Sequence, residues 1–323
     1  RSKAGLFDVS HMGEFIISGT DAETFLQKVT VNDVQSLEVG QAHYSAMCYE
    51  HGGIVDDLLV YKKEDEFMVV VNASNQEKDL AWLTSNIQGN VTIKDISDKM
   101  ALIAIQGPRS RDILQMLTDS NLSNLRFYHF IDGKVSGREA IISRTGYTGE
   151  LGYEIYSSSD DIINIWTQIM DAGLDHGIEP VGLGCRDTLR MEMKYTLYGN
   201  DIDETTNPIE AGLGWITRLK KDEFIGKEAL LKAKKNVTRR LVCIEMAEKA
   251  IPRNGCPIFI DEELVGVITS GTMSPSLEKG IGIGFVNTPY TEAGTDLIID
   301  IRGKKKPAVI VKPPFYTKGS LMD

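Results

Sequence analysis

The sequence lacks the cysteine and histidine spacing that metal sites and disulfide frameworks need. Its four cysteines, Cys48, Cys185, Cys243 and Cys256, are scattered without a CxxC pair, and its five histidines form no HxxxH or HExxH pattern. We therefore expect reduced, mostly buried thiols in a reducing compartment, and no metal site.

Long apolar runs and positive charge are also missing. No apolar run approaches the roughly 18 to 20 residues that a membrane span needs, and no basic, apolar leader is visible. The net charge is −11 and the isoelectric point is about 5.1. Phosphate backbones and acidic membrane surfaces require a basic face, so we expect neither nucleic acid nor a membrane as a partner.

Two families of catalytic motif are absent as well. There is no GxSxG elbow and no P-loop lysine, so nothing indicates a nucleophilic triad or phosphoryl transfer. Gly182 and Gly184 precede a helical pattern, but the third glycine of a dinucleotide-binding loop is missing and no strong strand comes before them.

What remains is a chain of 323 residues with 42% hydrophobic and 25% charged residues, which is ordinary for a globular protein of two or three domains. Strands and helices alternate irregularly up to a lysine-rich stretch at residues 232–237. Beyond residue 239, short strands separated by turn residues predict a small barrel or sandwich.

Local signals place several elements. The apolar runs at 67–71, 101–105 and 140–142 predict buried strands. Ser74 with Glu77 is typical of a capping box that starts a helix, and Gly107 with Pro108 opens another. Residues at helical spacing predict a helix with one core-facing stripe after Ser159. That stripe contains Ile162, Ile163, Trp166, Ile169 and Met170.

Residues 52–57 pair two glycines with two adjacent acids ahead of an apolar strand. In a strand, Asp56 and Asp57 point to opposite faces, so one can face solvent while the other faces inward. An inward carboxylate is costly to bury without a partner or a catalytic role. The alternative is an ordinary hairpin turn.

Residues 144–154 form a glycine-rich stretch with Tyr147 and Glu154. Glycines allow close backbone approach, and a carboxylate can accept two parallel hydrogen bonds from a planar N–H edge. A binding site and a tight turn with a solvated Glu154 are equally compatible with this pattern.

Two positively charged groups complete the survey. Arg186 and Arg190 lie four residues apart on one helix face, where they could hold an anion or a carbonyl, although a solvated face is the simpler interpretation. The run Lys304, Lys305 and Lys306 could dock an acidic partner, but a solvated hairpin tip is favoured.

Taken together, six blocks of the sequence resemble one family in the same order. They are residues 5–14, 52–57, 71–73, 143–154, 182–190 and 269–271, the last followed by Ser274 and Pro275. This family is the aminomethyltransferase of the glycine cleavage system, the T-protein. Six ordered blocks are far more specific than any one of them.

The resemblance implies a function and a fold. T-protein transfers the one-carbon unit of the aminomethyl group on dihydrolipoyl H-protein to tetrahydrofolate, which gives 5,10-methylenetetrahydrofolate and ammonia. The implied fold is an α+β cloverleaf of three domains around a central opening. We expect residues 1–232 to form the folate-binding region of two interleaved subdomains and residues 233–323 to form a β-barrel domain.

The resemblance also implies site residues. Asp57 matches the catalytic aspartate, which orients folate, accepts or relays a proton and stabilises the cationic iminium. Glu154 matches the acid that binds the planar pterin edge. The remaining positions match folate-lining residues or, for the last, a basic tail that reaches the opening. They are Tyr147, Arg186, Tyr195, Asn72, Met12, Tyr44, Tyr61 and Lys318.

The resemblance also implies the partners and the surroundings. Tetrahydrofolate is expected as a co-substrate and lipoylated H-protein as the partner of an otherwise monomeric chain. The expected location is the cytoplasm, or the mitochondrial matrix in a eukaryote. Family members carry a further segment before the block at 5–14, including an aromatic stretch near the site, and we expect such a segment ahead of Arg1.

Two alternatives stay open within the same fold. One is a related folate-dependent demethylase, and the other is a non-catalytic folate-binding scaffold. Such scaffolds carry a Lys-Gly-Cys-Tyr-x-Gly-Gln motif, which this sequence lacks.

Overall fold

The computed structural model describes residues 1–323. The first part of the chain contains, in order, β1 (Ala4–Asp8), β2 (Gly13–Ser18), α1 (Ala22–Val29), β3 (Gln41–Cys48), β4 (Ile54–Lys62), β5 (Glu66–Val71), α2 (Gln76–Ser85), β6 (Thr92–Asp95), β7 (Met100–Gln106), α3 (Ser110–Gln115), β8 (Phe130–Val135), β9 (Arg138–Ser143), β10 (Gly152–Ser158), α4 (Ile162–Gly173), β11 (Ile178–Pro180) and α5 (Leu183–Glu192). The remainder contains α6 (Lys227–Lys235), β12 (Arg239–Met246), β13 (Pro257–Ile260), β14 (Glu263–Ser274), β15 (Lys279–Asn287), β16 (Asp296–Ile301) and β17 (Lys304–Val311).

Two sheets form the first part of the molecule. One has six strands in the order β11-β1-β7-β10-β9-β8, and the other has five in the order β3-β4-β5-β2-β6. Helices cover one face of each sheet: α3 and α4 pack on the six-stranded sheet, and α1 and α2 pack on the five-stranded sheet. The other faces meet in a shared core that includes Phe7, Tyr61, Leu102 and Tyr156. The two sheets are therefore stacked face to face.

The third sheet is a closed barrel in the order β12-β15-β14-β13-β16-β17. Inward-facing aliphatic residues such as Ile244, Ile258 and Ile299 fill it. Closure pairs every edge strand, which removes exposed hydrogen-bonding edges. The predicted α+β class and the C-terminal barrel are confirmed, and the barrel strands lie within residues 233–323.

Local predictions succeeded where they rested on apolar runs. The predicted strands correspond to β5, β7 and β9. The capping-box prediction was wrong: α2 starts after a short 3-10 turn, its cap position is Asn75, and no side-chain bond caps it. In α4 the stripe holds except at Ile163, which is 74% exposed because it lies about 100° around the helix from Ile162.

The lysine-rich stretches have separate explanations. Residues 232–235 end α6, where positive charge complements the carboxyl end of a helix. At the start of β17, Lys305 pairs with Glu262 and Lys306 with Glu248. The hairpin interpretation of this run therefore holds. No helix of the structure has the length and apolar character to cross a membrane.

Candidate functional site

A cavity of about 770 Å³ opens where the two stacked sheets, the segment after α5 and the end of the chain meet. This volume is within the usual range for small-molecule sites. Eight of the ten residues predicted for the site line it. They are Asp57, Glu154, Tyr147, Arg186, Tyr195, Asn72, Met12 and Tyr44.

Asp57 lies in the cavity wall on β4, between β3 and β5. Tyr44 Oη donates to its Oδ2 at 2.7 Å, and Asn72 Nδ2 donates to its Oδ1 at 2.8 Å. The glycine pair before it is required sterically, because a Cβ on Gly53 would lie 1.9 Å from the Glu204 carbonyl oxygen. The hairpin turn at the two glycines and the cavity site at Asp57 are therefore both present, and the turn leads directly into the strand that carries Asp57.

The ionisation of Asp57 is shifted. Burial, followed by the neighbouring charge of Asp56, raises its pKa to about 7, against the opposing effect of the hydrogen bonds from Tyr44 and Asn72. A carboxyl group with a pKa near neutrality can both accept and return a proton under physiological conditions.

Asp56 points to the opposite side of β4, as strand geometry predicts, but this side is not solvent. Its side chain is fully buried behind the cavity wall, where it accepts hydrogen bonds from Asn72 and Asn75. Asp56 is therefore the inward-facing acid, and Asp57, which is partly exposed, faces the cavity rather than the outer surface.

Glu154 lies on β10, the strand that directly follows the glycine-rich loop, and its side chain lines the cavity. Its side chain is only 6% exposed, so the solvated alternative is wrong. Thr145 Oγ1 donates to its Oε2 at 2.5 Å, while burial raises its pKa against the influence of Thr145 and Arg186. The glycines allow close packing, because a Cβ on Gly146 would lie 2.1 Å from Gln106 Oε1.

Flat groups line the space near Glu154. The rings of Tyr147 and Tyr195 stack with centroids 5.6 Å apart and planes 25° from parallel. The Arg186 guanidinium lies 4.5 Å from the Tyr147 ring centroid. Tyr147 Oη also donates to the Thr196 carbonyl, which fixes the ring. Such surfaces suit a flat heterocycle.

Tyr61 does not line the cavity. It is fully buried on β4, where its hydroxyl contacts Tyr156 at 3.0 Å and Thr145 at 3.3 Å. Because Thr145 also donates to Glu154, Tyr61 is linked to the Glu154 carboxylate through the Thr145 hydroxyl. Met12 lines the cavity and also packs against the core between the sheets.

Arg190 differs from the solvated helix face that the sequence favours. It is 1% exposed, pairs with Asp201 at 2.6 Å and donates to Ser270 at 2.9 Å. Asp201 lies eleven positions further along the chain, in the segment after α5, so periodicity within the helix gives no signal for this partner. Met193, which directly follows α5, lines the cavity.

The end of the chain reaches the opening, but not through Lys318. Pro313, Pro314 and Leu321 line the cavity, whereas Lys318 is exposed and absent from the lining. The geometry gives Lys318 no contact with the site.

Sequence reasoning missed several lining residues. Trp215 is the largest; its ring lies 6.1 Å from that of Tyr44 and is 59% exposed at the opening. One group of the others comes from the segment after α5, where no local pattern distinguishes them. It includes Lys194, Thr196, Leu197, Tyr198, Gly212 and Leu213.

The chemistry available in the lining is that of carboxylates, phenols, the Arg186 guanidinium, the Lys194 amine and the His11 imidazole. No cluster of three or more His, Cys, Asp or Glu side chains is placed to hold a metal ion. Fold and site together define an α+β enzyme-like chain with a C-terminal barrel and an enclosed acid–base cavity for a flat small molecule.

Comparison with known proteins narrows this class. The family described as the GCVT N-terminal domain matches residues 1–221, and the glycine cleavage T-protein C-terminal barrel domain matches residues 239–317. The aminomethyltransferase of Bacillus subtilis is 50% identical over 98% of this chain and 89% of its own length. That of Halalkalibacterium halodurans is 44% identical over 99% of this chain and 88% of its own.

A solved structure agrees. The glycine cleavage system aminomethyltransferase T from Bartonella henselae is 31% identical and superimposes with a TM-score of 0.92, over 99% of this chain and 88% of that one. The chain belongs to the aminomethyltransferase family, the T-proteins of the glycine cleavage system. It is a one-carbon transferase of that family.

Proposed function

We propose that this chain takes the aminomethyl group from the dihydrolipoyl arm of H-protein and passes its carbon to tetrahydrofolate bound in the cavity. The carbon loses its bonds to sulfur and to the amine nitrogen and gains bonds to N5 and N10 of the folate. The two N–H protons of the folate end on the thiol and on ammonia, so the transfer involves no net oxidation.

The contacts of Asp57 carry this proposal most strongly. Tyr44 and Asn72 fix both carboxylate oxygens at the cavity wall, and a pKa of about 7 suits proton transfer. The ionised carboxylate can also stabilise positive charge that develops on the transferred carbon.

Tetrahydrofolate fits the opposite part of the site. Glu154 is buried with Thr145 as its donor, which leaves it able to accept from the N–H edge of a pterin. Tyr147 and Tyr195 offer stacking surfaces, and Arg186 lies beside them. We propose Asn72, Met12 and Tyr44 as further contacts, with Tyr61 acting through Thr145.

We further propose lipoylated H-protein as the partner of a chain that is otherwise monomeric. The reactive arm would enter past Trp215, the exposed aromatic residue at the opening. We leave Lys318 outside the proposed site, because its side chain points to solvent beyond the cavity lining.

The test is tetrahydrofolate-dependent release of ammonia from aminomethylated H-protein. We expect turnover by the wild-type chain and a loss of about 100-fold or more in kcat for Asp57→Asn, since positioned acid–base groups contribute on that scale. Asp57→Asn should fold and bind folate, because the amide keeps the size of the carboxylate.

Two outcomes would contradict the proposal. A near-normal rate for Asp57→Asn would remove Asp57 from the chemistry. Folate binding by the wild-type chain without any release of ammonia would instead fit a scaffold, and transfer of a methyl group from another donor would fit a demethylase.

A further inference from the structure

Asp56 has contacts that the reaction as described does not use. Its Oδ1 accepts from Asn72 Nδ2 at 2.9 Å and from Asn75 Nδ2 at 2.7 Å, and its Oδ2 accepts from the Asn72 backbone N–H at 3.1 Å. Three N–H donors on a fully buried side chain form a set suited to a carboxylate.

Asn72 joins this buried acid to the reactive one. The same Nδ2 that donates to Asp56 also donates to Asp57 Oδ1 at 2.8 Å. The orientation of the amide is thereby determined, because both Asp56 and Asp57 accept from its NH₂ end when they are ionised. Asp56 fixes the Asn72 amide by a hydrogen bond on the side away from the cavity, and the same amide donates to Asp57.

Asp79 on α2 lies against Asp56. It is fully buried, and no N–H or hydroxyl group donates to either of its oxygens. Burial and the contact with Asp56 raise its pKa to about 10. Two adjoining carboxylates cannot both be ionised at low cost, so Asp79 is the member of the pair that carries a proton.

Few other charges face the pair. From α2, Lys78 lies nearby, but its Nζ donates to the Val55 carbonyl at 2.5 Å and lies 4.1 Å from the Tyr198 ring centroid. Tyr49 and Tyr198 lie within electrostatic reach as neutral phenols. Asp57 is the acid on the cavity side. The pair therefore holds one negative charge directly behind the cavity wall.

We propose that Asp56 is a positioning residue for the one-carbon transfer: it fixes the Asn72 amide against Asp57 and keeps a negative charge behind that carboxylate. This inference rests on the proposed role of Asp57. It predicts an effect on the chemical step rather than on folate binding.

The test is Asp56→Asn, assayed by ammonia release over a range of pH. We expect kcat to fall by roughly 10- to 100-fold, as for other losses of catalytic alignment, with little change in the KM for tetrahydrofolate. We also expect the acid limb of the pH profile to move to lower pH, because a negative neighbour that raises the pKa of Asp57 is removed.

Matched variants separate this role from a structural one. Glu14→Gln changes another fully buried carboxyl, on β2 and outside the cavity lining, and should leave kcat and the acid limb unchanged. Asp79→Asn offers Asp56 an N–H donor, so the fall in kcat of this variant should be smaller than that of Asp56→Asn.

The outcomes are distinguishable. An Asp56→Asn variant with an unshifted acid limb, or with a rate close to wild type while Asp57→Asn is inactive, would overturn the positioning role alone. An active Asp57→Asn variant would instead overturn the proposed function on which it rests.

Discussion

At the scale of single residues, hydrogen-bond donors decide what each buried carboxyl group does. Asp56 has three N–H donors, Glu154 has a hydroxyl donor, and Asp79 has only another carboxyl group as a neighbour. Burial alone raises the pKa of any acid, and donors oppose that rise. Asp57 lies between these extremes, with two donors and one negative neighbour.

The first prediction from this balance concerns pH. With a pKa of about 7, Asp57 is protonated at lower pH and ionised above it. We expect kcat/KM for tetrahydrofolate to fall about tenfold per pH unit below pH 7 and to level off above it, since the ionised form accepts the proton. The residual activity of Asp57→Asn should show no such break; a break at the same pH would assign it to another group.

A second prediction concerns Glu154. Replacing it with Ala leaves pterin donors buried without a partner, which costs about 1–3 kcal/mol, or roughly 5- to 150-fold in Kd. Calorimetric titration with tetrahydrofolate measures this directly. Glu154→Gln keeps the side-chain volume but accepts only one hydrogen bond well. The affinity of this variant for tetrahydrofolate should therefore lie between those of the wild-type chain and Glu154→Ala. An unchanged affinity for both variants would exclude Glu154 from the binding site.

Residue identity and order predicted most of the site, since the blocks around Asp57 and Glu154 matched a family pattern. Orientation could not be predicted this way. Tyr61 shares the face of β4 that carries Asp57, but it lies further along the strand, where the core between the two sheets covers it. Lys318 lies in a segment without regular structure, where no periodicity constrains a side chain.

At the scale of elements, α5 connects the cavity to the barrel. Its Arg186 lines the site, while Arg190 binds Asp201 beyond the helix and Ser270 on β14. Asp201 also accepts from the Leu197 N–H and from Thr269 Oγ1. This buried network fixes the segment that carries Thr196 and Leu197 into the cavity wall.

The network gives a matched pair of variants, because Arg190 has one buried and one exposed acidic partner. Asp201 is fully buried, whereas the side chain of Asp187 is 46% exposed. Asp201→Asn leaves the buried guanidinium with only its exposed partner and should lower the free energy of unfolding by about 3–5 kcal/mol. Asp187→Asn should cost at most about 1 kcal/mol. Urea denaturation measures both; equal losses would show that burial does not govern this pair.

The strands and helices also show which sequence patterns predict structure and which do not. Apolar runs predicted β5, β7 and β9 because burial of a continuous strand depends only on local composition. The start of α2 was not predicted correctly, because Asn75 occupies the cap position and its side chain donates to Asp56, a partner nineteen residues away. Local signals are reliable where local energies dominate.

At the scale of the whole molecule, the cavity exists only because distant parts of the chain meet. Tyr44 and Asp57 come from the five-stranded sheet, Glu154 from the six-stranded sheet and Pro313 from beyond the barrel. The last residues return to the glycine-rich loop before β10, where Ser320 donates to Glu150 through its backbone N–H at 2.8 Å and its hydroxyl at 2.6 Å. Such long-range closure leaves no trace in residue spacing.

This convergence predicts that ligand binding stabilises the molecule as a unit. A ligand that contacts both sheets and the chain end binds the folded state alone, so tetrahydrofolate at 100 times its Kd should add about 2.7 kcal/mol to the free energy of unfolding. Scanning calorimetry over a series of tetrahydrofolate concentrations should show Tm rising with the logarithm of concentration. Because the contacts span both sheets and the chain end, the unfolding should remain a single transition that shifts as a whole.

Glu154→Ala provides the control for this linkage. Its weaker binding should displace the Tm curve to higher tetrahydrofolate concentrations by the same factor as its Kd, because stabilisation depends only on the ratio of concentration to Kd. Asp57→Asn, whose folate binding is expected to persist, should follow the wild-type curve. Stabilisation of only one of two separate transitions would contradict the shared site, since it would place the ligand on one part of the molecule.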